Sequence, residues 1–197
     1  NDLALLERIG ESFNLHPLVL EDIAHLWQRP KAEEYDDYMY IILKLCQLSK
    51  DKRSISIEQV SMILGSGYLL TFQENEGGIF EHVRDLLRSG KGSLRKMSAD
   101  YLAYALIDGI VDYYFVVFET MSESIEAFEE KILRGSDQKT LPQLHRLSHQ
   151  LTQLRKSVWP LREMIGSLER TESRFFTKGT RLFLRDLYDH AIQAVDT

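Results

Sequence analysis

His16-Pro17-Leu18-Val19-Leu20-Glu21-Asp22-Ile23-Ala24-His25, then Gln28-Arg29-Pro30-Lys31, then Tyr38-Met39-Tyr40-Ile41-Ile42-Leu43-Lys44, is the stretch that decides the fold. Pro17 suits the first turn of a helix, where its missing N–H has no partner to lose. Leu18, Leu20, Ile23, Ala24 and Trp27 recur at helical spacing, which predicts a helix over 17–27. Arg29-Pro30 would end it, because the residue before a proline is pushed out of the α region, and Gln28-Arg29-Pro30-Lys31 reads as a basic turn ahead of a buried strand. Glu21 and Asp22 sit about 100° apart on such a helix, so at most one faces the core. The other belongs to a solvated face or to a partner.

Outward from this stretch, strands are expected at Tyr38–Leu48, nearly all apolar and so central in a sheet, and at Ile55–Leu64, which alternates. A third, Tyr68–Phe72, follows the turn Gly65-Ser66-Gly67. Leu3, Leu6, Ile9 and Phe13 predict an amphipathic helix over 3–13. Glu76-Gly77-Gly78 breaks the chain, Ile79–Leu87 reads as a short helix, and Ser89–Ser93 as a glycine-serine loop.

From Ser98 the pattern changes. Ser98 is an N-cap without a capping box, and a long helical pattern runs to about Arg134, where Gly135 stops it. A second runs from about Thr140 to Arg170, and a third begins near Lys178. Helices of some 30 residues are about 45 Å long, so the first two should project as an antiparallel hairpin. Residues 98–134 hold eight acids and two bases, whereas 135–185 hold four acids and ten bases. Opposite charge would set the register of the pair more than its stability. The divisions are therefore 1–97, an α/β sandwich part; 98–174, the hairpin; and 175–197, the start of a further helix.

The 197 residues carry a net charge of −6, with 44% hydrophobic and 27% charged residues, which is soluble-globular composition and argues against a nucleic-acid binder. The single cysteine, Cys46, excludes a disulfide framework within the chain and fits a reducing compartment. No signal peptide is visible, and the most apolar run, Leu102–Phe118, is interrupted by Asp108 and Asp112. The chain starts at Asn1 rather than Met and stops at Thr197 inside a helical pattern, so it reads as a fragment.

Three groups of acids stand out. Glu21-Asp22 is one. Asp108 is the second: it lies in a stripe with Tyr101, Ala105, Val111 and Phe115, where a carboxylate needs a hydrogen bond, an ion pair, a metal or an interface. Asp186 and His190 are the third, four residues apart with Asp189 beside them, and off the seam made by Leu184, Leu187, Tyr188, Ala191 and Val195. Enzyme signals fail. Glu21 and His25 share a face, but there is no His-Glu-x-x-His, and Gly90-Lys91-Gly92-Ser93 lacks both the first glycine and the final Ser/Thr of a phosphate loop.

The segment His16–Lys44 resembles the cytosolic domain of the CorA family of magnesium and cobalt transport proteins. Leu184-Arg185-Asp186-Leu187-Tyr188-Asp189-His190, continuing Ile192-Gln193-Ala194-Val195-Asp196-Thr197, resembles the start of that family's stalk helix, and Leu102–Phe118 is similar to the first helix of its hairpin. The resemblance implies an α+β fold: an α/β/α sandwich, a long antiparallel helical hairpin, and a stalk helix leading to transmembrane helices and a Gly-Met-Asn loop that this chain lacks, as it lacks the earliest strands. It implies a homo-pentameric channel in the inner or plasma membrane, with this part on the cytoplasmic side, no nucleic-acid partner and no small organic substrate. It implies Mg2+ as the bound ion, with Co2+ or another divalent cation able to substitute. By motif match, Asp22 would be one ligand and Asp186 another from the next subunit. Glu21 and Asp108 would serve a second position, with His190 and Asp189 in support. Bound ions would favour the closed channel. The rival expectations are a zinc transporter of the same superfamily and a soluble helical-hairpin adaptor.

Overall fold

The computed structural model describes residues 2–49, 54–75, 78–90, 94–135 and 140–196. The chain break at Glu76-Gly77, the Lys91-Gly92-Ser93 part of the loop, and Thr197 lie outside the described residues. Helices α1 (Leu3–Ser12) and α2 (Pro17–Ala24) come first, followed by strands β1 (Lys31–Glu34), β2 (Tyr38–Leu48), β3 (Ile55–Gly65) and β4 (Tyr68–Gln73). Then come α3 (Glu81–Ser89), a 3-10 turn at Leu94–Lys96, and the long helices α4 (Ala99–Leu133), α5 (Thr140–Arg170) and α6 (Lys178–Asp196).

The strands form one antiparallel meander in the order β1-β2-β3-β4. Successive side chains of a strand point to opposite faces. Met39, Ile41, Leu43 and Leu45 therefore face α4, α5 and α6 together with Val60, Met62 and Leu64. Tyr38, Tyr40 and Ile42 face the other way, with Ile63, onto Leu15, Val19 and Ile23 of the α1–α2 layer. This is the expected α/β/α sandwich. It explains why β2 is apolar throughout: strands covered on both faces lose the polar half of their alternation. The β3 strand, read as alternating, is likewise buried on both faces from Glu58 to Gly65. The β3–β4 turn needs Gly67, whose φ of 86° lies in the left-handed region.

Three expectations are corrected. Helix α2 stops at Ala24, not at residue 27, and Trp27 is 95% exposed instead of joining the apolar stripe. The cause is tertiary. The backbone N–H of Gln28 donates to Gln59 Oε1 at 3.2 Å and the Leu26 carbonyl accepts from Lys44 Nζ at 2.7 Å, which draws the chain out of the helix. Lys31 lies in an edge strand, not a turn: β1 pairs Lys31 with Ile42 and Glu34 with Met39. The short helix begins at Glu81 rather than Ile79.

In α4, Ala103, Ile107, Ile110, Val111, Tyr114 and Val117 are buried at helical spacing against the sheet and α6. Each isoleucine of this row contributes about 2 kcal/mol by burial. By length and composition alone α4 could cross a membrane, with one window reaching a mean hydropathy of 1.4. Its apolar face is instead occupied by this core.

Helix α6 packs along both α4 and α5, with Leu184, Leu187, Ala191 and Ala194 buried. Gly166 on α5 leaves room for the Tyr188 ring, which a Cβ there would meet at 2.8 Å. Beyond Met121 and before Leu154 no described residue is buried, so the last part of α4 and the first part of α5 stand in solvent, and it is α6 that packs against both helices. The expected charge pairing does not hold α4 to α5: no ion pair among the described residues joins them, and their polar link is Lys131 Nζ to Gln143 Oε1 at 2.9 Å.

Candidate metal centre

Asp108 projects from the first third of α4, four residues before Asp112, and α6 lays His190 against both. The ligand atoms of Asp108, Asp112 and His190 lie within 4.8 Å of one another. A divalent ion with ligands at about 2.1 Å spans about 4 Å between opposed ligands, so this group approaches one coordination sphere. His190 Nε2 is 3.9 Å from Asp186 Oδ2, and His190 Nδ1 is 3.9 Å from Asp108 Oδ1. Both are too long for hydrogen bonds. His190 Nδ1 is nonetheless buried and has no hydrogen-bond partner among the described residues. A buried polar nitrogen without a partner is costly, and a cation shared with the carboxylates would satisfy it.

Electrostatics point the same way. Burial, and next the neighbouring charge of Asp112, hold the Asp108 carboxyl above the usual carboxylate range. A hydrogen bond from the Tyr104 hydroxyl and the nearby His190 work against that rise. Burial, then Asp108, pushes Tyr104 itself upward, so it stays a donor at neutral pH. A carboxyl raised on folding contributes stability below its unfolded pKa and loses it as pH rises through the folded value. At neutral pH ionised Asp108 therefore costs stability, and Asp108→Asn should raise the Tm of the ion-free chain. The expected shift is a few degrees, at about 2–4 °C per kcal/mol for a chain of this size, read by thermal unfolding in chelator. Near pH 4 the difference should shrink.

The other acidic group is built differently. Asp22 Oδ2 is 2.9 Å from Lys31 Nζ, and Lys31 reaches Glu33 Oε1 at the same distance. Asp22 thus has a partner within its own chain. Its carbonyl accepts from Gln59 Nε2 at 2.8 Å. Gln59 is 2% exposed on β3, and it fixes the end of α2 and the 26–28 segment together. Glu21 is exposed on the adjoining face, and its carbonyl caps the helix by accepting from the backbone N–H of His25 at 2.9 Å. Among the described residues, no ion pair or hydrogen bond joins Glu21 or Asp22 to Asp108 or Asp186. Asp189 is exposed and stands apart from the cluster, whereas His190, expected only in support, sits inside it. Cys46 is no ligand: it is fully buried and its thiol is pushed up to about 12 by burial.

Sequence reading missed Asp112, Tyr104, Lys31 and Gln59 as site residues. The i, i+4 spacing of Asp108 and Asp112 was the available signal for the first. For Gln59 there was none, since a lone glutamine in a strand carries no periodic mark.

The whole chain, residues 1–197, matches the family model described as CorA-like Mg2+ transporter protein. It is 44% identical over 193 residues to the cobalt/magnesium transport protein CorA of Thermotoga maritima, covering 98% of this chain and 55% of that protein. The chain thus spans about half the length of that relative. In structure it is similar to the soluble domain of CorA from Methanocaldococcus jannaschii, with a TM-score of 0.83 at 21% identity, covering 98% of this chain and 76% of that one. It is also similar to the ZntB cytoplasmic domain from Vibrio parahaemolyticus, with a TM-score of 0.76 at 15% identity, covering 95% and 73% of the two chains.

Proposed function

The chain belongs to the CorA-like Mg2+ transporter family, and from that premise we propose that it is the cytoplasmic ion-sensing part of a pentameric Mg2+/Co2+ channel. The observation that carries the reading is the group of Asp108, Asp112 and His190, with its unpartnered buried nitrogen and Asp186 beside it. In the ring, Asp22 and Glu21 of one protomer meet this α4–α6 face of the next. Asp186 is 65% exposed and free to reach outward. The sandwich, the hairpin and the start of the stalk, at 1–97, 98–174 and 175–197, then act as sensor, brace and lever, with α6 leading toward a pore in the inner or plasma membrane.

Mg2+ takes one or two carboxylates and keeps several waters, which suits a site divided between protomers. With an ion between them, the acidic faces are held together. Emptied, two carboxylates 4 Å apart repel by about 4 kcal/mol at an effective dielectric of 20, an upper figure for a solvated interface. One site at its Kd contributes about 0.4 kcal/mol, five about 2 and ten about 4, enough to shift a gating equilibrium only in concert. High internal Mg2+ would close the pore and low Mg2+ open it.

A second reading has an observation of its own. An imidazole among carboxylates suits Co2+ or Zn2+ better than Mg2+. Co2+ titration of the chain, followed by visible absorption, tests both. The expected result is a band that Mg2+ displaces, that His190→Leu alters and that Asp108→Asn weakens. A band insensitive to excess Mg2+ but abolished by Zn2+ favours a zinc transporter. Absence of any saturable band overturns the metal centre.

A further inference from the structure

We propose that Lys31 is a built-in competitor for the cation at Asp22, setting how much divalent ion the sensor needs before it responds. The inference rests on the reading of Asp22 as an ion ligand. Lys31 Nζ lies 2.9 Å from Asp22 Oδ2, within the reach that a metal-bound carboxylate would require, and the ammonium and an incoming dication therefore cannot both hold that oxygen closely.

The local build suits exchange. Lys31 has a second acceptor, Glu33 Oε1 at 2.9 Å, and its ammonium stands 5.7 Å from the centre of the Tyr40 ring. When it leaves Asp22 it keeps both, so displacement does not strand a charge. A lysine does this better than an arginine: its charge is a point on a flexible stem, whereas a guanidinium would clamp the carboxylate with two parallel bonds. The strand adds direction. Lys31 is the first residue of β1, paired with Ile42, while Asp22 is held through its carbonyl by Gln59. The backbone of each partner is fixed, and the moving part is the lysine stem. The pair is also only partly wet, with side chains 32% and 20% exposed, so solvent screens it less than a free surface pair.

A purely structural ion pair predicts the opposite effect. Removing Lys31 would then loosen Asp22 and weaken ion binding. Competition predicts that removal tightens it.

The experiment is a double-substitution cycle in the complete protein, reading the Mg2+ concentration that gives half-maximal protection from proteolysis. Lys31→Met should lower that concentration about tenfold, the effect of taking one positive charge from beside the ion. Lys31→Arg should keep or raise it. Asp22→Asn should raise it, and Lys31→Met added to Asp22→Asn should then change nothing further, since the competed oxygen charge is gone. Lys131→Met, the same charge change at the far end of α4, should leave the value where it is. If Asp22→Asn has no effect, the reading of Asp22 as a ligand falls. If Asp22→Asn acts but Lys31→Met leaves the value unchanged or raises it, the competition is overturned and the ligand reading stands. An equal effect from Lys131→Met overturns it as well, because net charge alone would explain the shift. Thermal unfolding of Lys31→Met without Mg2+ checks that the variant folds.

Discussion

Alanine at both Asp22 and Asp186 is expected to abolish the protection that Mg2+ gives the complete protein against proteolysis, and each alone should raise the half-protecting concentration at least about tenfold. The size follows from cooperation. A single weak site supplies only tenths of a kcal/mol, yet in the proposed pentamer a substitution in one chain is repeated around the ring, so five sites fail at once. Asp186 is largely exposed, and among the described residues its one ion-pair partner is His190, at 3.9 Å, so its removal disturbs little of the fold. Asp22→Ala also frees Lys31, which retains Glu33. Neither variant should move the Tm of the ion-free protein by more than a few degrees, and that separates lost sensing from lost folding. Unchanged protection in both single variants would defeat the assignment of these carboxylates.

The two layers of the fold were legible because burial leaves a periodic mark. The run Tyr38–Leu48 could only be a strand covered on both faces, and three long 3.6-residue stripes could only be packed helices. What was hidden depended on partners distant in sequence. Lys31-Ala32-Glu33-Glu34 carries three charges and has no apolar alternation to mark a strand, but an edge strand tolerates charge on its open side and gains its bonds from β2. The early end of α2 is decided by Gln59 and Lys44, more than fifteen residues away. The acids of α4 and bases of α5 suggested direct pairing, yet α6 packs along both helices. The same geometry explains the site. Asp108, Asp186 and His190 could each be singled out as polar residues near apolar seams, but only the packing of α6 on α4 could show that His190 sits between the carboxylates and that Asp112 joins them.

The largest stability loss is expected at Asp100, a residue no motif marks. It is 3% exposed at the first turn of α4, and it ties that helix to the start of α6. One carboxylate oxygen accepts from the Ser98 hydroxyl, which therefore does not cap the backbone, and the other accepts from the backbone N–H of Thr177 at 2.8 Å. Burial alone would raise this carboxyl. Hydrogen bonds from Ser98, Thr177 and Thr180 outweigh it and hold the group below its ordinary value. The helix N-terminus favours the charged form too. A carboxyl lowered on folding contributes stability above its unfolded pKa and loses it as pH falls through the folded value. Asp100→Ala should therefore cost about 3 kcal/mol at neutral pH, from two or more charge-assisted hydrogen bonds and a buried N–H left without a partner. That corresponds to a Tm lower by about 6–12 °C. Asp100→Asn should lose part of this and flatten the fall in stability below about pH 4, where the carboxyl of the unfolded chain takes up its proton ahead of the folded one. Urea unfolding at pH 7 and in that acid range measures both. Because α6 begins at Lys178, directly after this anchor, the variant should also uncouple sensing from motion. Co2+ should still bind at Asp108, Asp112 and His190 with near wild-type affinity, while Mg2+ protection of the complete protein weakens. Equal loss of both would mean that Asp100 shapes the metal centre itself, and an unchanged Tm would mean that the tie between α4 and α6 carries no load.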